Sequence, residues 1–224
     1  MKSAIITSDG LISLMRVFVS CKPLMSEIMK ENQLYLIKTA KDGKDVYFDE
    51  YLKNLPQPDP TYQQILDFAN DMGIHHINAN IVALFFGGEP HFKKILGQLH
   101  DPKLNIKNND FIQRIFFAHI LLPVKITQTD PIIEGIYSNS DVEVIIRNLV
   151  KIDNVCLRVG DEALIHYASI IQVMPSANLK VLLLKTQLNC VEFMQACRYI
   201  KIMDYKNFWN LCDWTEKTVK DRKI

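Results

Sequence analysis

Charge of one sign is what this sequence lacks most plainly: 26 Lys and Arg stand against 25 Asp and Glu, a net charge of +1. No global field draws such a chain onto nucleic acid or anionic lipid. Glycine is scarce, with eight residues in 224, which excludes collagen-like structure, and 48% hydrophobic residues exclude intrinsic disorder. The five cysteines are odd in number and none stands in a Cys-x-x-Cys pair. A disulfide framework or a zinc ribbon is therefore not expected. Long apolar runs are missing too: Ile115 to Ile126 contains His119, Pro123 and Lys125 and falls short of the roughly 20 residues that cross a bilayer. Met1 to Gly10 carries one Lys and an apolar patch, Ala4-Ile5-Ile6, too brief for the core of an export signal, and Leu11 to Val19 is broken by Ser13 and Arg16. These absences point to a reduced, cytoplasmic protein with no membrane span, no metal and no cofactor.

What is present is enough apolar residue for a real core, since a chain of this size buries roughly 70% of its unfolded surface. Leu11 to Leu36 carries apolar residues at helical spacing, broken near Cys21-Lys22-Pro23. The Asp42-Gly43 pair between Leu34-Tyr35-Leu36-Ile37 and Val46-Tyr47-Phe48 is a hairpin signal. Leu55 to Pro60, with three alternate prolines, is a linker that divides an N-terminal segment, 1–55, from a repeat-like domain, 61–224. Beyond it, Thr61 can cap a helix over Tyr62 to Met72 that Gly73 ends. Short helices are expected at Asn80–Phe86, Pro90–Leu99, Phe111–Leu122, Pro131–Tyr137, Asp141–Val150, Glu162–Val173, Ala177–Thr186, Val191–Ile200 and Tyr205–Trp214. Helices this short need neighbours, and stacked antiparallel pairs provide them. The fold class expected is all-α, a solenoid of short helix pairs with a small N-terminal helical segment and at most one hairpin.

Asp130-Pro131-Ile132-Ile133 aligns with Ala163-Leu164-Ile165-His166 at a spacing of 33 residues. Gly88 to Leu96 resembles the middle of an ankyrin repeat, Leu104 to Asp110 the loop that follows, and Leu164-Ile165-His166-Tyr167-Ala168 the start of a first helix. The chain thus resembles a degenerate ankyrin-repeat protein over residues 77–214. The resemblance implies a non-enzymatic protein-interaction module that binds a protein partner through its loops and concave face, Tyr205 to Trp214 closing the stack. Lys107, Asn108, Asn109, Asp110, Arg158, Asp161 and Glu162 would form the partner-binding rim. Asn108-Asn109 as a simple turn and Asp161 as a cap explain the same residues. With an Ile-, Lys- and Asn-rich composition, such repeats suggest an effector of intracellular bacteria, acting in the host cytosol, or a viral host-range protein. Val17 to Lys22, Ile28-Met29 and Asn32 to Tyr35 are similar to the latter half of an F-box, which implies a ubiquitin-ligase adaptor through residues 11–35.

No motif announces a reaction: there is no phosphate loop, nucleophile elbow, His-Glu-x-x-His or dinucleotide fingerprint. Gly87-Gly88 reads as an inter-helix turn. His75-His76 is the most metal-like pair, yet adjacent side chains diverge on any regular element, so loop residues are the reading. His166 reads as a buried histidine bonded to a neighbouring loop. Cys156, Cys190 and Cys197 read as small core hydrophobes. An enzyme would need a site where the 33-residue spacing fails, around His119 to Asp130, with two or more titratable groups converging there.

Overall fold

A computed structural model describes residues 4–20, 27–99, 110–152, 155–174 and 177–206. The chain opens with strand β1 (Ile5–Ile6), helices α1 (Ser8–Ser20) and α2 (Glu27–Lys41), strand β2 (Val46–Tyr47), helices α3 (Phe48–Lys53) and α4 (Pro60–Asp71), strand β3 (His76–Ile77) and helix α5 (Ala79–Gly87). β1 lies between β2, to which it is antiparallel, and β3, to which it is parallel. Local chemistry sets the boundaries. The Asp59 carboxylate accepts the Thr61 amide at 2.7 Å with Pro60 in the first turn of α4, and Gly73 leaves that helix at φ 66°. Asn78 accepts the amides of Asn80 and Ile81 at the start of α5.

The second half is a barrel wrapped by helices. Helices α6 (Glu89–Leu99) and α7 (Asp110–His119) lead into strands β4 (Leu122–Gln128), β5 (Ile133–Ser138), β6 (Glu143–Lys151), β7 (Glu162–His166) and β8 (Ser169–Val173). Helices α8 (Ala177–Leu188) and α9 (Val191–Tyr199) and strand β9 (Ile202–Asp204) follow. The order β5-β4-β7-β8-β6 closes because β6 also pairs β5, giving a five-stranded ring with β9 added parallel to β6. One strand can serve three neighbours because β6 bends. Glu143 to Leu149 pair with β5, with a register slip between Ile133 and Gly135, Ile145 to Arg147 pair with β9, and Val150 and Lys151 pair with β8. Asn148 sits at that bend with φ 59°, a left-handed conformation that asparagine tolerates, and its amide donates to Asp204 at 2.6 Å.

Two hydrophobic cores result. One fills the barrel and the space under α6, α7 and α9, where Phe193 stacks on Phe92 and Phe117. The other lies among α1 to α5 and takes Leu121, Leu164, Ile171, Leu179 and Leu183 from the second half. The cores therefore share a wall. Buried Gln187 on α8 donates through Nε2 to the carbonyls of Gly87 and Leu121 at 3.2 and 3.0 Å, joining α5 to the approach of β4. A Cβ on Gly87 would lie 2.7 Å from Leu183 and 2.9 Å from the Leu121 carbonyl.

This architecture corrects the all-α solenoid and the ankyrin resemblance. The helices expected at Pro131–Tyr137 and Asp141–Val150 are strands β5 and β6, and Glu162–Val173 is the β7–β8 hairpin. The physical reason is residue period and type. In Val142 to Ile146 the residues alternate, with Val142, Val144 and Ile146 buried and Glu143 exposed, and β-branched side chains suit that pleat. Helical spacing cannot be distinguished from alternation over so few residues. Ile146 and Ile165 are buried on barrel strands, not between stacked helices; Ala168 and Leu183 are also buried, and Leu182 is exposed. The expected Leu34–Phe48 hairpin is also replaced, since α2 runs through Leu34 to Lys41 and β2 pairs with β1. Of the expected closing helix Tyr205–Trp214, Tyr205 is buried in a turn just after β9, and residues 207–214 lie outside the described residues.

Gly10 generates a prediction. It begins α1 against β3, where a Cβ would lie 2.3 Å from the Ile77 carbonyl oxygen. Gly10→Ala should lower unfolding stability by about 1–3 kcal/mol, the cost of overpacking against backbone. An unchanged urea midpoint would contradict that contact.

Candidate metal centre

Three of the six histidines converge on the shared wall. His91 lies in the first turn of α6, His119 is the last residue of α7 and His166 the last of β7. One ligand atom from each lies within 4.8 Å of the others. The rings meet edge to face, with centroids 5.1 Å apart for His91 and His119 and 5.3 Å for His119 and His166. Phe86 packs against both His91 and His166, and Tyr167 against His119 and His166. His91 and His166 are buried, and His119 keeps part of its surface accessible.

The chain brings them together through the β7–β8 hairpin. His166 pairs with Ser169, so Tyr167 and Ala168 form a two-residue tip, and Tyr167 takes φ 51°, a strained value for a bulky residue. The Tyr167 amide donates to the Ala118 carbonyl at 2.7 Å. The tip thus caps the end of α7 and sets His119 beside His166, and strain held in this way is typical of functional sites. From the other core, Ser20 at the end of α1 places its hydroxyl 2.6 Å from His166 Nδ1 and 2.5 Å from the Val17 carbonyl. This hydroxyl can serve either tautomer. It donates to a bare Nδ1, or it turns to Val17 and accepts from Nδ1–H, the tautomer in which Nε2 carries the lone pair.

Burial holds all three imidazoles below their ordinary pKa. For His91 burial acts first, followed by the fields of His119, His166 and Lys94. For His119, burial and Lys94 lower the value to about 3, and for His166 burial and then His119 lower it well below normal. The His119 carbonyl pulls the other way, favouring a proton on His91 and His166. It does not complete a hydrogen bond with His91, whose two ring nitrogens are buried without a hydrogen-bond partner among the described residues. Neutral rings with available lone pairs are the form that binds a metal.

The residues singled out from sequence fall elsewhere. His75 and His76 precede and begin β3 and are exposed. Lys107, Asn108 and Asn109 lie outside the described residues; Asp110 starts α7, and its side chain is likewise outside them. Asp161 accepts the Arg158 amide at 2.7 Å and closes a turn through Gly160, and Glu162 pairs with Lys180 at 2.7 Å, so these three share the approach to β7 and not a repeat rim. Cys197 is buried with its thiol pushed up by burial, Cys190 is half-buried and Cys156 is exposed. In the stretch expected to hold an enzyme site, His119 joins the cluster, whereas Val124 and Ile126 are barrel core. Sequence reasoning missed the trio because its members are 28 and 47 residues apart in the chain. The available signal was local: His119 lies between Ala118 and Ile120, and His166 between Ile165 and Tyr167, whereas His75 and His76 have no such apolar flanks on both sides.

The lowered pKa values imply a pH profile. Below about pH 6.5 an unfolded histidine takes up a proton. The folded rings resist, so the unfolded state binds more protons and stability falls with pH by about 1.4 kcal/mol per pH unit for each ring that stays neutral. The loss should run from pH 6.5 to about 4 in chelator-treated protein, and His91→Phe should flatten the slope. A urea midpoint constant over that window would contradict buried neutral rings.

No family model matches the chain, and no curated protein or solved structure shows significant similarity to it.

Proposed function

We propose that this chain is a metal-binding protein in which His91, His119 and His166 hold one divalent transition-metal ion, zinc by ligand type, where the two cores meet. The observation that carries this reading is three imidazole nitrogens, one from each residue, within 4.8 Å of one another, together with the two His91 ring nitrogens that find no hydrogen-bond partner among the described residues. A buried polar atom without a partner costs about 1–3 kcal/mol, which a metal–nitrogen bond would remove. Zinc sets ligand nitrogens about 3.3 Å apart at bond lengths near 2.0–2.1 Å. The widest separation would therefore close by up to about 1.5 Å, within reach of side-chain rotation.

Three protein ligands leave the fourth tetrahedral position for a non-protein ligand. Among the described residues, the one cation that acts on both His91 and His119 is Lys94, and no carboxylate contributes. An ion of charge 2+ in this wall is best balanced by an anion, and hydroxide is the simplest, since zinc lowers the pKa of its water to about 7. His119 is the partly accessible ring and marks the side from which that ligand enters. Binding would also tie α6, α7 and β7 to one another and, through Ser20, to α1.

Metal-free protein titrated with cobalt(II) should take up one equivalent and develop the visible bands of a tetrahedral site, which zinc then displaces. His91→Ala and His166→Ala should abolish the bands, whereas the His75→Ala/His76→Ala double variant should retain them. Ser20→Ala should weaken binding about 10–100-fold, as loss of a ligand-orienting partner does. Absence of stoichiometric uptake by folded wild-type protein would refute the proposal.

A further inference from the structure

A second site lies on the N-terminal layer, away from the histidines. Between α1 and α2 is a groove of about 500 Å³, within the usual range of small-ligand pockets. Ile12, Met15 and Val19 lie on one face of α1, and Ile37 faces them from α2. Ile152, just beyond β6, closes one side. Two cations share this apolar wall. Lys41 stands exposed in the last turn of α2, and Arg16 is fixed by a 2.9 Å hydrogen bond from Nη1 to the Ile171 carbonyl. The described lining includes no Asp or Glu.

An apolar trough with cationic side chains selects a ligand with a hydrocarbon body and a negative end. We infer that this groove binds a single-chain carboxylate of the medium-chain fatty-acid class, its tail along Ile12, Met15, Val19 and Ile37 and its carboxylate at Arg16 and Lys41. The tail contributes through apolar area removed from water, and the head through charge-assisted hydrogen bonds. Met15 and Ala40 of the lining belong to the same core as Leu11, Leu14, Phe18 and Leu36, so the groove has a packed floor, and Ile12, Val19 and Ile37 are only partly buried against it. This inference requires nothing of the metal centre.

The test uses the whole chain and dodecanoate below its micelle concentration, followed by calorimetry, beside dodecanol and dodecyltrimethylammonium. Dodecanoate should saturate at one equivalent, with the alcohol and the cation at least about tenfold weaker, as expected for loss of hydrogen bonds to a charged group. Lys41→Gln should weaken dodecanoate several-fold. Val19→Trp and, separately, Ile37→Phe should fill the trough and reduce binding, each variant checked by its melting curve. Equal affinity for the cationic amphiphile would overturn the inference. So would undiminished dodecanoate binding by whichever filling variant melts normally. Sedimentation with anionic vesicles without saturable binding of dodecanoate would assign the surface to membranes and overturn it as well.

Discussion

The shared wall between the two cores is the constraint on which the rest of the structure depends. Leu121, Leu164, Ile171, Leu179 and Leu183 belong to the second half of the chain yet complete the N-terminal core. Water is excluded there, so each polar group needs a partner inside the protein or stays unsatisfied. Gln187 meets this demand for the carbonyls of Gly87 and Leu121. Gly87 lets α5 approach closely enough for that bond to form, because a side chain would meet Leu183 and the Leu121 carbonyl.

The histidines occupy the same wall under the same demand. Ser20 serves His166, whereas His91 has two buried ring nitrogens with no hydrogen-bond partner among the described residues. Burial keeps the rings neutral, and neutrality makes them ligands. Structure and chemistry are thus coupled: the capped end of α7, the strained tip at Tyr167 and the end of α1 hold the rings together, and an ion bound to the rings would hold those elements in turn. The groove between α1 and α2 shares no lining residue with the histidine cluster, so the two proposed ligands would occupy different sites.

Much of the helical content was legible in the sequence. α4, α5, α6 and α9 fall near their expected positions because each has a cap, a glycine stop or a stripe long enough to show its period, and α8 does so without a pronounced stripe. The barrel was not legible. Its strands are five to nine residues, and runs such as Leu164 to Ala168 are buried on every side, so they show no alternation. The density of β-branched residues from Val124 to Val173 was the better signal, and a spacing of 33 residues between two apolar runs outweighed it. The site was hidden for a different reason. Its ligands come from a helix start, a helix end and a strand end, and only the closed barrel places those three together.

X-ray absorption at the zinc edge of protein loaded with one equivalent tests the central claim most directly. The account predicts about three nitrogen scatterers near 2.0–2.1 Å with the outer-shell pattern of imidazole and one further light ligand. A first shell made mainly of oxygen without imidazole scattering would place the ion on the surface and contradict a metal centre at this wall.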